Sequence, residues 1–267
     1  MGPPATQWHD SDGNGRLKLT ILGCSPSFPN PGGASSGYLV REAETTLLVD
    51  CGHGVAGRLQ LATAVTDLTA VLISHLHPDH FFDLVPLKYV LRYVSPRSPL
   101  PVYLPPGATS TLAALGKAIG EPDLLSPELA LREYDPDAGL SVAPIRVDFV
   151  GGRHFAPAYA MRFTSEHEPA CSIAYTSDTA PCHSVTELAR GCELMLAEAT
   201  LLEGTPSEAS SGHMTGLQAG EMAQEAGARR LVITHYAAGQ ALAVLREASR
   251  AFSGGVQLAV EGATYQV

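Results

Sequence analysis

The chain is predicted to be an α/β protein in which two sheets pack face to face with helices outside. Apolar strand patterns gather around helical ones in both halves of the 267 residues, which is how layered α/β folds read in sequence. At 45% hydrophobic and 16% charged, the composition suits a globular chain with a substantial core. Several chemically versatile side chains also stand immediately after apolar strands, so a sandwich would collect them along one rim.

The elements follow in order. RLKLTILG, residues 16–23, alternates as a half-buried strand does and ends in a Gly/Pro/Ser loop, CSPSFPNPGGASS. Strands are predicted at 37–41 and 46–50. The second runs into Cys51-Gly-His-Gly54, a tight reversal, before a short helix at about 55–61. The apolar strand Ala70-Val71-Leu72-Ile73 leads straight into ISHLHPDHFFDL, and residues 80–94 read as a helix. PVYLPPG is a short strand with a proline stop, and a helix follows near 109–119. Residues 121–137 hold six acids against one arginine and read as a solvated edge. Strands resume at 140–150, 159–164 and 171–177, then a helix near 184–190 and a strand at 193–197. The last third alternates helix and strand: 215–226, 230–234, 239–250 and 256–260. No repeat, linker or low-complexity tract interrupts this order, so residues 16–267 are expected to form a single domain. Residues 1–15 lack the charged and apolar stretches of a signal peptide and read as a flexible leader.

Composition narrows the function. No run of 18 apolar residues exists, so no transmembrane helix and no membrane partner are expected, and the default location is cytoplasmic. The five cysteines, Cys24, Cys51, Cys171, Cys182 and Cys192, are dispersed and lack CxxC spacing, which argues against a disulfide framework or a cysteine zinc site. A net charge of −10, with lysine only at 18, 88 and 117, repels phosphate backbones and argues against a large nucleic-acid footprint. A small-molecule substrate is expected, and a homodimer remains open.

The histidine cluster carries the chemistry. His75 and His77, two apart on an extended segment, point the same way and can share one metal ion. Asp79 and His80 then lie on the turn leaving the strand, stiffened by Pro78, where they can face a second ion. Solvated polar loops rarely concentrate three histidines and an aspartate within six residues. Two ions need further ligands, and three candidates share the same kind of position after a buried strand: His154, Asp178 in SIAYTSDT, and His235 in RRLVITHY.

With these residues in place the sequence resembles the metallo-β-lactamase superfamily, in the order of its ribonuclease Z and phosphodiesterase branch. The matching elements are LLVDCGHG, SHLHPDH, His154, TSDT, LAEAT, GHMT and LVITHY, spread over residues 17–265. The resemblance implies a four-layered αββα sandwich and a two-metal hydrolase. It implies His75, His77 and His154 on the first ion, Asp79, His80 and His235 on the second, and Asp178 bridging both. Mixed nitrogen and oxygen ligands suit Zn²⁺, and Mn²⁺ or Fe also accept them. Asp50 would orient the histidine loop from behind the ligands, or else be a plain strand-end turn residue.

His213 in GHMT resembles the histidine that assists at the phosphate in this branch, with Glu198 of LAEAT as its partner. Its plainer reading is a helix-start residue beside an N-cap at Thr215. Asp79 and His213 are thus the catalytic candidates. His167 is an alternative ligand, while His9, His53 and His183 read as bystanders, with His53 placed near the rim by its motif. Arg153, Lys88 and Arg92 are candidates to meet a phosphate.

Ribonuclease Z enzymes carry a long tRNA-binding arm between the positions of His154 and Asp178. Here those residues are only 24 positions apart. The expected activity is therefore that of a phosphodiesterase on a small phosphodiester such as a cyclic nucleotide. The rival is a lactonase or β-lactamase-like carbonyl hydrolase, for which Tyr175 or Tyr236 would serve. A tRNA 3′-processing endonuclease and a non-catalytic metal-binding protein stand behind these.

Overall fold

The computed structural model describes residues 17–96, 98–205 and 212–267; the leader and His9 lie outside them. The first half supplies β1 (Lys18–Gly23), β2 (Gly37–Glu42), β3 (Thr45–Val49), α1 (Val55–Ala62), β4 (Ala70–Leu72), α2 (Pro78–Phe81), α3 (Leu84–Tyr93), β5 (Leu100–Leu104), α4 (Ala108–Ala118) and β6 (Leu129–Glu133). The second supplies β7 (Leu140–Val142), β8 (Ile145–Gly151), β9 (Tyr159–Ser165), β10 (Ser172–Tyr175), α5 (His183–Leu188), β11 (Leu194–Glu198), α6 (Gly216–Ala226), β12 (Arg230–Thr234), α7 (Ala241–Ala251), β13 (Gly255–Leu258) and β14 (Thr264–Gln266).

Alternation along the first strands decides the layering. Tyr38 and Val40, Leu47 and Val49, and Ala70 and Leu72 point into a core shared with the second sheet. Their neighbours Leu39, Leu48 and Val71 point the other way, onto Val55 and Leu59 of α1, Leu84 and Leu87 of α3 and Leu112 of α4. A strand buried on both faces has no polar side to show, which is why LLV and AVL read as continuous apolar runs. On the second sheet α5 lies against β8 and β9, α6 against β11 and β12, and α7 against β13. The result is an αββα sandwich.

Among the described residues each sheet has seven strands, in the orders β14-β1-β2-β3-β4-β5-β6 and β13-β12-β11-β10-β9-β8-β7. The run β3 to β6 is parallel, as is β10 to β13; the remaining pairs are antiparallel. Parallel strands release their chain at a common edge, where ligands gather in α/β sheets. The edges of the two parallel runs form the functional rim. No helix among the described residues is long and apolar enough to cross a membrane, and the five cysteines are free thiols.

Several elements differ from expectation. The helix expected at 80–94 is two, α2 and α3, and α2 starts at Pro78, so Asp79 and His80 sit on a helical turn rather than a loop. The break comes at Asp83, whose N–H donates to the Cys51 carbonyl while its carboxylate accepts from Ala56 N at 3.0 Å. The acidic 121–137 stretch contains the edge strand β6, with Leu124, Leu125 and Leu129 buried beneath its charged surface. The strand expected at 140–150 is a hairpin of β7 and β8 turned at Ala143-Pro144. The short β14, which the pattern did not announce, pairs with β1.

Two basic residues considered for phosphate recognition are structural. Lys88 is buried, and its ammonium donates to the carbonyls of Asp123 (3.1 Å) and Leu124 (2.9 Å), tying α3 to the segment before β6. Arg92 grips Glu128 through two hydrogen bonds. Replacing Lys88 by methionine strands both carbonyls, so Lys88→Met is expected to cost about 1–3 kcal/mol. A lower urea midpoint at unchanged m-value and metal content would show it; an unshifted midpoint would refute the staple.

Candidate metal centre

The structure brings all seven predicted side chains together at the rim. His75, His77, His154 and Asp178 form one group and Asp79, His80, Asp178 and His235 a second; within each, the candidate ligand atoms lie within 4.8 Å of one another. Asp178 belongs to both. His77 Nδ1 and His154 Nε2 face each other at 3.0 Å, and His75 Nε2 is 3.8 Å from Asp178 Oδ2. In the second group His80 Nε2 lies 3.4 Å from both Asp79 Oδ2 and Asp178 Oδ1, and His235 Nε2 lies 3.1 Å from Asp79 Oδ2.

The far side of most of these rings is held by a hydrogen bond, which fixes the nitrogen that faces inward. Asp50 is the first anchor. Its carboxylate accepts from Ser74 N (2.7 Å), Ser74 Oγ (2.8 Å), Tyr175 OH (2.8 Å) and His80 Nδ1 (2.8 Å). Since the Ser74 hydroxyl donates to Asp50, it accepts from His75 Nδ1 at 3.1 Å. One buried carboxylate thereby sets the tautomers of both His75 and His80, so Asp50 is more than a turn residue.

Glu198 is the second anchor. It accepts from Thr179 N (2.9 Å), Thr200 N (3.1 Å), Thr200 Oγ1 (2.7 Å) and His213 Nδ1 (2.9 Å). Thr200 Oγ1, its proton engaged with Glu198, accepts from His235 Nδ1 at 2.8 Å and leaves Nε2 toward Asp79 and Asp178. His154 is held by the backbone, Nδ1 donating to the Gly212 carbonyl at 2.8 Å.

Backbone strain gathers at the same rim. Among the described residues, four non-glycines have positive φ, and three of them are Asp50 (56°), Ser177 (54°) and His235 (54°). Each stands where a parallel strand ends, and the left-handed conformation turns the chain sharply so that a polar side chain enters the site. Two glycines allow close approach: a Cβ at Gly52 would lie 1.8 Å from the Asp79 carbonyl, and one at Gly212, at φ +69°, would meet His154 Nδ1 at 3.1 Å.

The electrostatics suit divalent cations. Burial, with His80 and the other rings adding to it, holds His75 well below the ordinary histidine value, and burial lowers His77 and His154 too. These imidazoles are neutral near pH 7, with lone pairs to donate. Burial tends to raise Asp79 and Asp178, but the neighbouring histidines outweigh it and keep both carboxylates ionised. His80 moves well upward: burial opposes its charge, but Asp178 and Asp50 prevail. His75 Nε2, His80 Nε2 and Asp178 Oδ1 are buried without a hydrogen-bond partner, although buried polar atoms are nearly always satisfied. All three belong to the two groups, so the residues present fit metal ions.

His213 stands beside both groups, its ring centroid 4.8 Å from that of His154 and 5.8 Å from that of His235. Burial lowers its basicity, but the Glu198 hydrogen bond and charge, with Asp178 and Asp79, push it up to about 9. Thr215 does cap α6, through a reciprocal box with Gln218, and this cap fixes the loop that carries His213. The helix-start and site roles therefore fall to different residues.

Other candidates do not converge. His53, His167 and His183 are exposed and belong to neither group. Tyr175 donates to Asp50, and Tyr236 donates to the Ala259 carbonyl at 2.7 Å. Arg153 is exposed on the loop before His154. Sequence reasoning missed Ser74 and Thr200, which link His75 to Asp50 and His235 to Glu198 through hydrogen bonds.

A family model described as a beta-lactamase superfamily domain matches residues 45–236. The chain belongs to this superfamily. "Probable metallo-hydrolase YhfI" of Bacillus subtilis (strain 168) is 31% identical over 258 residues, covering 94% of this chain and 100% of that one. The crystal structure of YhfI superposes with a TM-score of 0.85 at 29% identity, covering 95% and 100% of the two chains. A ribonuclease Z of Mycobacterium bovis (strain BCG / Pasteur 1173P2) is 32% identical over 246 residues, 82% of this chain and 86% of its own. Unliganded yeast PDE1 shares the fold, with a TM-score of 0.74 at 15% identity over 95% of this chain and 100% of that one. The chain is a metal-dependent hydrolase of the superfamily, and family membership implies divalent metal.

Elemental analysis of the purified protein is expected to give two divalent ions per chain, and Asp178→Ala should lower occupancy of both sites because that carboxylate joins the groups. Chelation should lower Tm, since an ion bound only to the folded chain stabilises it. A fully active wild-type protein with a single ion would overturn the shared-aspartate arrangement.

Proposed function

We propose that the chain is a phosphodiesterase acting on a small phosphodiester such as a cyclic nucleotide, with two Zn²⁺ ions held by His75, His77 and His154 and by Asp79, His80 and His235, and with Asp178 between them. The observation that carries this is His213, an imidazole beside both groups yet anchored by Glu198. Bound divalent ions supply Lewis acidity and bring the pKa of water toward ~7. Cleaving a phosphodiester also requires a proton for the departing alkoxide. His213 meets that need: Nδ1–H is fixed on Glu198, whose charge stabilises the imidazolium, so a proton given to the substrate leaves from Nε2. Asp79 would act beside it as a ligand of the second ion, its carboxylate facing the Nε2 atoms of His235 and His80.

A small substrate is supported by the chain between His154 and Asp178, where β9 and β10 are joined by residues 166–171 alone, and by the net charge of −10. The carbonyl-hydrolase reading is weakened because the Tyr175 and Tyr236 hydroxyls are engaged in the fold.

His213→Ala is expected to retain both ions and to lower kcat on a cyclic nucleotide by roughly 10²–10⁴, the range of a lost general acid. The loss should shrink on bis-p-nitrophenyl phosphate, whose leaving group needs little protonation. His75→Ala should instead lose metal and fail on both substrates. Metal loss in His213→Ala, or equal rate losses on the two substrates, would remove the general-acid role.

The metal-loaded protein should also bind tRNA weakly and leave nitrocefin and acyl lactones largely intact. Efficient 3′-trailer removal at physiological salt, or rapid nitrocefin turnover without phosphodiester cleavage, would overturn the substrate assignment.

A further inference from the structure

A second concave site lies on the helix-facing side of the first sheet, away from the metal rim. It is a cavity of about 400 Å³ between α1 and strands β14, β1 and β2, lined by Thr20, Arg41, Arg58, Leu61, Glu261 and Thr264 among others. Small-molecule sites occupy ~300–1,000 Å³, so the space suits an organic molecule rather than a bare ion.

Its position follows from strand register. Tyr38 of β2 is opposite Val49 of β3, next to Asp50 at the metal rim, whereas Arg41 is opposite Thr46. Four residues of strand, at ~3.3 Å each, put the backbone at Arg41 roughly 13 Å down the sheet from the rim. Arg41 is two residues beyond Leu39, which faces the helices, and so shares that face. On β1, Lys18 is directly opposite Arg41, and Thr20 is opposite Leu39.

Two cations are therefore cross-strand neighbours on one face, an arrangement that is unfavourable unless something answers the charge. Among the described residues nothing nearby does so fully. Arg41 Nη2 is buried with no hydrogen-bond partner, and burial depresses its basicity, with Asp67 opposing this only at longer range. The Asp67 carboxylate accepts from Thr63 at 3.1 Å. Glu261 is engaged too, by Arg58 (2.6 Å) and by the Ala34 N–H (2.6 Å). The Thr20 and Thr264 hydroxyls, 2.9 Å apart, add polar groups to the same wall, and Leu61, 83% exposed, adds an apolar one. Arg41 and Arg58 line this wall and Lys18 is the cross-strand neighbour of Arg41, in a chain that has only 17 Lys and Arg and a net charge of −10.

We propose that this cavity is a second binding site, for a small organic phosphate. The phosphate would be held by Arg41 with Lys18 and the threonine hydroxyls, and the organic portion would lie against Leu61. An oxyanion would answer the charge of Arg41, which is half-buried and lines the cavity, and would relieve the Lys18–Arg41 repulsion, which a neutral ligand would not.

The test is calorimetric titration of the metal-loaded protein with AMP as probe, adenosine as the phosphate-free control, and two variants remote from the metal groups. Arg41→Gln is expected to lose one equivalent of AMP per chain relative to wild type, with metal content unchanged. Lys18→Gln, at an exposed position, should weaken that same equivalent. Adenosine should not bind there. AMP stoichiometry equal in wild type and Arg41→Gln, or adenosine binding as tightly as AMP, would overturn the proposal. Should Arg41→Gln fail to fold, Lys18→Gln decides it, and unchanged AMP affinity refutes the site. None of these readings requires phosphodiesterase activity, so the assignment at the metal rim stands or falls separately.

Discussion

The rim depends on two carboxylates buried behind the candidate ligands, each surrounded by donors. A histidine binds metal through only one ring nitrogen at a time, and the other must carry a proton that goes somewhere. In the interior that proton needs an acceptor, because an unsatisfied buried donor costs about 1–3 kcal/mol. Asp50 and Glu198 are those acceptors. Asp50 serves His80 directly and His75 through Ser74; Glu198 serves His213 directly and His235 through Thr200. Both stand at ends of parallel strands, so the β-sandwich fixes the anchors and the anchors fix the rings.

Much of this was legible in the sequence because it is local or periodic. His75, His77, Asp79 and His80 lie within six positions, and His154, Asp178 and His235 each follow an apolar strand whose end the pattern marks. Glu198 was legible only as a named partner for His213. The roles of Ser74 and Thr200 were not, since a hydroxyl beside a strand announces nothing until two sheets bring it to a carboxylate. The same limit explains Lys88, which as a helix lysine reads as solvated yet ends on two carbonyls. It explains Tyr175 and Tyr236, whose hydroxyls point into the fold. It explains the 121–137 stretch as well, where the buried Leu124, Leu125 and Leu129 are outnumbered by six acids.

The rim also shows where stability was traded for geometry. Asp50, Ser177 and His235 hold left-handed backbone that non-glycine residues avoid, at a cost on the order of 1–3 kcal/mol each. That conformation persists only where the surroundings over-determine it, and here β3, β10 and β12, buried on nearly every residue, supply the rigid frame. An extended backbone at these points would carry each strand straight past the rim.

The candidate ligands are divided between the halves of the chain: His75 to His80 follow a strand of the first sheet, while His154, Asp178 and His235 leave strands of the second. During synthesis the histidine cluster emerges 155 positions before His235, and neither half alone presents a full donor set. Metal capture by these groups would thus require that the two sheets have docked in register. Each group draws side chains from both sheets, so an ion held there would tie the two sheets together and stabilise the docked fold.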